Sequence, residues 1–415
     1  MFDFANSGYT TLVITAIFNA YFVSVVAGNA TWSTLAWTGT LSVSYALVML
    51  VGPVLGAYAD IHARKKWLLL ITTVGCVLFT AGLALVGPGD IWLTAVLVVV
   101  SNFFFSAGEN LIAAFLPELA RGRSLGKVSG WGWGLGYIGG IVSLACSLAY
   151  VTWAQGKGLG ASQYVPVTML ITAVLFALAS LPTFLLLRER ATPNASVSVG
   201  LTQAFQRLAA TLIHVRHYKD LAWFFLCLTV YQAGVQVVIT LAAIYAQQAM
   251  GFTTRDTIEL ILVVNFTAAL GASLFGHVQD RIGHRLAITL TLVGWLAMVL
   301  LAWLARDRTT FWLAAQLAGL CLGSSQSAGR ALVGYLSPAA RRAEFFGLWG
   351  FAVKLSSIIG PLSYGLVNWI SGGDHRLAML FTGVFFLGGL ALLIPVNVRR
   401  GRRRALRVTQ PANAV

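Results

Sequence analysis

Apolar residues gather into twelve long runs, at about 4–28, 34–59, 67–87, 91–117, 127–154, 164–187, 220–249, 258–279, 285–305, 310–336, 343–370 and 376–398. At 1.5 Å per residue each run, wound as a helix, crosses a hydrocarbon core of ~30 Å. Lipid satisfies no backbone polar group, so runs of this length are read as helices. The alternation of about ten residues that a membrane barrel needs is absent. The pattern therefore predicts an all-α membrane protein with twelve transmembrane helices.

Within four runs, polar residues recur at helical spacing. Asn102, Ser106 and Glu109 step by four and three, as do Gly323, Gln326, Ser327 and Arg330. Gln232, Gln236 and Thr240 form a third stripe, and Lys354 with Ser357 a fourth. An ionisable group in a span costs at least ~2.5 kcal/mol, so it usually faces a cavity and carries function. Glu109, Arg330 and Lys354 each lie about 11 residues from the cytoplasmic side and are expected close to the membrane midplane.

Composition sharpens the class. Hydrophobic residues make up 58% of the 415 and charged ones only 10%, against about 25% in soluble domains. That excludes an ordinary soluble enzyme. The formal charge of +15 invites a nucleic-acid reading, but its placement refuses it. With twelve spans and a cytoplasmic N-terminus, 21 Lys and Arg fall in inner loops and the tail, and five in outer loops. Such a bias is what membrane insertion imposes, and it puts both termini in the cytoplasm. The tail RRGRRRALR suits anionic headgroups. An acid, not a basic segment, precedes the first apolar run, so that run is expected to be retained as a span.

Chemistry that would suggest an enzyme or a metal protein is missing from the sequence. Cys76, Cys146, Cys227 and Cys321 have no paired spacing, the six His no metal spacing, and neither G-x-S-x-G nor H-E-x-x-H occurs. GWGWGLGYIGG at 130–140 lies in a span with no preceding strand, so its glycines are read as helix-packing positions. No enzyme activity, metal or cofactor is expected, beyond an ion gradient as energy source.

The chain repeats itself. Gly56-x-x-x-Asp60 returns as Gly276-x-x-x-Asp280 after 220 residues, and SAGE ending at Glu109 returns as SAGR ending at Arg330 after 221. Two repeats at offsets one residue apart, in corresponding runs, argue for duplication into two pseudo-symmetric six-helix bundles. The bundles are placed at 1–190 and 220–398, with a linker carrying an amphipathic helix at 191–219 and a basic tail at 399–415.

GAYADIHARKK and GHVQDRIGHR resemble the G-x-x-x-D-R-x-G-R-R/K signature of the major facilitator superfamily, with Ile61 and Ala63 departing from it in the first copy. Gly56, Asp60, Arg64, Gly276, Asp280 and Arg281 are accordingly expected at a cytoplasmic gate. DFANSGYTTLVITAIFNAYF and AEFFGLWGFAVKLSSIIGP resemble the vacuole-effluxer, autophagy-related branch, which includes bacterial members. The resemblance implies alternating access by two rocking bundles in a bacterial inner membrane, with a monomeric protein. It further implies helices one, four, seven and ten around a central cavity, lined by Asn6, Asn102, Ser106, Glu109, Tyr231, Gln232, Gln236, Gln326, Arg330 and Lys354. Amino-acid efflux by fungal relatives implies a small polar or zwitterionic solute, first a neutral amino acid, moved outward. Glu109 is the expected proton carrier. Ala233 stands where the branch usually carries an acid, so no coupling role is assigned there. Two other readings remain open: a flippase or exporter of lipids and amphiphiles, suggested by the Phe-rich FFFSAG and FFLCL, and a non-transporting scaffold or receptor.

Overall fold

The computed structural model describes residues 2–62, 64–113, 115, 124–187, 189, 218–337 and 342–407, and the account below concerns these. Twelve long helices appear among them, followed by a short one. They are α1 (Phe2–Val26), α2 (Ser33–His62), α3 (Lys65–Gly82), α4 (Ile91–Ala113), α5 (Ser124–Gly156) and α6 (Ala161–Leu186). Then come α7 (Lys219–Met250), α8 (Thr254–Ile282), α9 (His284–Leu304), α10 (Arg308–Leu336), α11 (Arg342–Ile370), α12 (His375–Leu393) and the terminal α13 (Val398–Arg407). Ten of the twelve are long and apolar enough to cross a membrane. The other two are α8, some of whose side chains lie outside the described residues, and α10, which has the length but carries more polar and charged residues, among them Arg330.

The surface shows the solvent these helices were selected for. On α6, Leu170, Val174, Leu178, Leu181 and Leu185 are all exposed at helical spacing, and α9 repeats the arrangement with Leu286, Leu290, Val293 and Leu300. Exposed apolar stripes this long are tolerated where acyl chains cover them. Trp92 and Trp153 are exposed near helix ends, as an interfacial belt requires. Trp37, also near a helix end, is instead fully buried, 6.2 Å from Phe18 and 5.5 Å from Phe22 between ring centroids.

Two compact units are present, and they do not follow the sequence halves throughout. The first comprises Met1–Ala204 with Ile239–Asn265 and Asn368–Gly373; the second comprises Phe205–Val238, Phe266–Val367 and Asp374–Val415. Helices α7, α8 and α11 thus pass from one unit to the other along their length. Polar bonds explain the membership of the first unit. Asn19 Nδ2 donates to the Thr240 carbonyl at 2.8 Å, Gln248 to Asn29 at 2.7 Å, and Tyr164 to the Thr254 hydroxyl at 3.0 Å. The expected linker at 191–219 lies outside the described residues except for its last positions.

Helix α1 is irregular. It turns from α-helical to π-helical at Thr10–Ala16 and again at Phe22–Val26, with a break at Ile17. The extra residue per turn frees carbonyls from the helical ladder. Asn19 sits just past the break, fully buried, and donates to the Thr15 carbonyl at 3.1 Å as well as to Thr240. In the second unit the core centres on Trp295 and Phe386, stacked 5.2 Å apart at 6°.

Helix ends are capped by the residues expected for that task. Asp307 accepts from Thr310 N at 2.8 Å to open α10, and Asp374 accepts from Arg376 N and Leu377 N to open α12. The α3 start is capped from a distance. Glu189, just beyond α6, accepts from Lys65 N at 2.8 Å and Lys66 N at 3.1 Å. A carboxylate there meets both the free amides and the positive end of the helix dipole. Glu189→Ala is expected to lower stability by about 1–2 kcal/mol, read as a lower thermal midpoint in detergent.

The signature loop of the second half also acquires a physical reason. Gly283 adopts φ 87°, between the end of α8 and the start of α9. A side chain in that left-handed region costs roughly 1–2 kcal/mol, so Gly283→Ala is expected to destabilise by about that amount in the same assay. In the first half Ala63 stands at the corresponding place and lies outside the described residues.

Candidate functional site

The first unit brings α1 and α4 together in a fixed antiparallel register. The Tyr9 hydroxyl and Ser101 Oγ are 2.9 Å apart, and the Tyr9 ring stacks on Phe105 at 4.7 Å. Seven residues earlier, Phe2 lies against Gly108, where an added Cβ would stand 3.8 Å from its ring. This register sets Asp3, on the first turn of α1, within electrostatic reach of Glu109, and Tyr45 of α2 reaches Glu109 as well. Asp3 and Glu109 are both half-buried. Asn6, one turn beyond Asp3, is buried, and its Oδ1 accepts no hydrogen bond among the described residues.

Asn102 is fully buried. Its Nδ2 donates to Ser44 Oγ of α2 at 3.0 Å, while its Oδ1 is also without a donor. Ser106 is fully buried on the same face of α4. The stripe read from the sequence is therefore real as a helix face. Its upper part is packed between helices, and its Glu109 end is the accessible one.

The second unit presents a different inventory. Gln232 Nε2 of α7 donates to Gln326 Oε1 of α10 at 3.2 Å, and Gln232 Oε1 is buried with no donor among the described residues. One turn beyond Gln326, the Arg330 guanidinium carbon lies 5.1 Å from the ring centre of Trp349 on α11. Such a contact is worth about 1–2 kcal/mol when water is excluded, and it holds the guanidinium plane in a set orientation. Tyr231 is buried with its hydroxyl directed at Gly329, where any side chain would collide with it. Gln236 and Lys354 are half-buried on α7 and α11, Lys354 five residues after Trp349.

Sequence reasoning missed Asp3, Tyr45 and Trp349. Asp3 sits in the hallmark stretch DFANSGY and Trp349 in AEFFGLWG, so position within those stretches was the available signal. At the expected gates, Gly56 and Asp60 lie on α2 and Gly276 and Asp280 on α8, but their side chains are outside the described residues. Arg64 and Arg281 are exposed. Beside the second copy, Gln279 Nε2 is 2.6 Å from His284 Nδ1 and bonds the Ala328 carbonyl at 3.4 Å, which ties α8 to α9 and α10.

A family model described as "Vacuole effluxer Atg22 like" matches residues 21–126 and 122–406. The chain belongs to that family. A relative in Bacillus subtilis, the uncharacterized MFS-type transporter YxiO, is 27% identical over 394 residues, covering 94% of this chain and 91% of its own. Autophagy-related protein 22-1 of Neosartorya fischeri is 25% identical over 325 residues, or 69% of this chain and 51% of the fungal protein. Among solved structures, the nucleoside transporter NupG aligns with a TM-score of 0.72 at 14% identity, covering 95% of this chain and 96% of its own. A D-xylose-proton symporter aligns with a TM-score of 0.71 at 15% identity, covering 96% and 97%. These likenesses show the twelve-helix facilitator fold. The Atg22-like chain is a multi-pass integral membrane protein and an MFS-type transporter, not an enzyme.

Proposed function

We propose that this Atg22-like transporter moves a small zwitterionic solute, first a neutral amino acid, by alternating access, and that it exports that solute. One observation carries the reading: positions equivalent under the duplication hold opposite chemistry. The first unit places two carboxylates, Asp3 and Glu109, within electrostatic reach of each other. The second unit holds the Arg330 guanidinium over the Trp349 ring. An ammonium group suits the first set and a carboxylate the second. A solute bearing both groups would suit both sets.

Proton coupling follows from the same chemistry. Asp3 and Glu109 lie within electrostatic reach of each other, and Glu109 is the proposed proton carrier. In proteoliposomes, Glu109→Gln is expected to abolish flux driven by a pH gradient while solute exchange persists. Undiminished pH-driven flux in Glu109→Gln would remove the proton role. The site carries no hydrolytic or redox chemistry, so the gradient of a proton or of the solute supplies the energy. Export follows the efflux function in the family's description, and the cytoplasmic placement of both termini follows the loop charges.

The lipid or amphiphile reading rested on the phenylalanine runs. Phe105 stacks on Tyr9, Phe104 packs on Phe79 at 5.9 Å, and Phe224 and Phe225 are buried. These rings are engaged in helix packing, and the polar-solute reading is the one the site chemistry favours.

A further inference from the structure

The tail helix α13 begins five residues after α12 ends, so it lies where the last span leaves the hydrocarbon. It is fastened to the second unit by two of its arginines. Arg400 makes a bidentate pair with Asp220, Nε to Oδ2 at 2.8 Å and Nη2 to Oδ1 at 2.7 Å, and Asn397 N adds a third bond at 2.9 Å. The Asp220 side chain is only 2% exposed. Pairing with this carboxylate raises the already high pKa of Arg400, so the clasp does not open by losing that proton. Arg402 lies 4.8 Å over the Tyr335 ring and donates to the Tyr335 carbonyl at 3.0 Å. Gly401 and Ala405 form the buried face, and a Cβ on Gly401 would meet Leu336 at 2.7 Å. The helix thus grips the start of α7 and the end of α10, and Tyr335 in turn contacts His284 at the head of α9.

The opposite face is different. Arg399 and Arg403 are exposed one turn apart on a single stripe, while Arg404, also exposed, flanks it one turn from Arg400 and within electrostatic reach of Asp220. Leu406 continues that stripe at 51% exposure, and Ile394, just before the helix, is 69% exposed. Cations on the outer face, with apolar side chains at each end and position at a span terminus, are the ingredients of a helix lying in the headgroup plane.

We propose that α13 binds the phosphodiester headgroups of acidic phospholipids through Arg399, Arg403 and Arg404, while Ile394 and Leu406 enter the acyl boundary. The Arg400–Asp220 clasp passes that binding to α7 and α10, so acidic lipid stabilises the second unit. The inference rests on the membrane spans and is independent of the solute.

The test uses the full chain in nanodiscs of phosphatidylcholine, alone or with one third phosphatidylglycerol, and follows thermal unfolding and binding of phosphatidylglycerol. Wild type is expected to gain stability from the acidic lipid, less so at high salt, because the exposed charges are screened. Replacing Arg399, Arg403 and Arg404 together by Gln is expected to weaken phosphatidylglycerol binding about a hundredfold while the midpoint in neutral lipid stays unchanged. Lys at the three positions should restore binding. Arg400→Gln should keep the binding and lose the added stability. Binding unchanged in the triple Gln variant, stabilisation intact in Arg400→Gln, or an equal effect from inorganic phosphate would each overturn the proposal.

Discussion

Arg330→Ala is expected to lower amino-acid flux per folded molecule by roughly a hundredfold. A hydrogen bond to a charged group is worth up to ~3 kcal/mol, and a tenfold change in rate or affinity corresponds to about 1.4 kcal/mol. Removing the guanidinium would leave the solute carboxylate in the membrane interior without its principal donor. Arg330→Lys makes the sharper comparison. It keeps the charge but loses the planar fork and the orientation over Trp349. Flux should then fall about tenfold, between wild type and Ala. Trp349→Leu should resemble Arg330→Lys, since the cation remains and only its platform is lost. Radiolabelled exchange in proteoliposomes, normalised to reconstituted protein, measures all three. Equal flux in wild type and Arg330→Ala would mean that the duplicated SAGE and SAGR ends do not serve the solute.

Gly323→Ala is expected to prevent accumulation of folded protein. A methyl at this position on α10 would collide with the Ala268 carbonyl oxygen and stand 2.6 Å from Ala272 N, both backbone atoms of α8. A backbone cannot rotate away as a side chain does, so the two helices must separate. Overpacking usually costs about 1–3 kcal/mol, and a forced separation of two helices lies at or above the top of that range. The control is Gly350→Ala on α11, where an added Cβ meets nothing within 4 Å. There the change removes a flexible residue from a helix and should be neutral or slightly stabilising. Size-exclusion profiles and thermal midpoints of the two variants give the comparison. A monodisperse Gly323→Ala protein with the wild-type midpoint would contradict the packing described for α8 and α10.

How much of this was legible beforehand varies with the physics involved. Helix number follows from hydropathy, a signal that depends on composition and spacing alone. The polar stripes were legible for the same reason. What a stripe faces was not. Asn102 bonds Ser44 across the packing of α2 and α4, and only the Glu109 end of that face is accessible, a distinction that requires the neighbouring helix. Trp37 looked like a belt residue by its place near a span end, yet Phe18 and Phe22 on the irregular α1 enclose it. The π-helical turns of α1 leave no periodic trace in a sequence that is apolar all round. The basic tail was read as a lipid anchor from its charge. Its helix, however, commits Arg400 and Arg402 to Asp220 and Tyr335, and the buried partner Asp220 lies nearly two hundred residues away.

The decisive measurement is binding of a neutral amino acid to wild type, Arg330→Ala and Glu109→Gln, set against binding of its methyl ester and its N-acetyl derivative. The ester lacks the carboxylate and the acetyl form lacks the ammonium. Wild type should reject both by a factor of about a hundred, as expected when a charged partner is lost. Arg330→Ala should no longer distinguish the ester from the parent, while Glu109→Gln should no longer distinguish the acetyl form. If both variants discriminate among the three compounds as wild type does, the charges of Glu109 and Arg330 are not what recognises the solute.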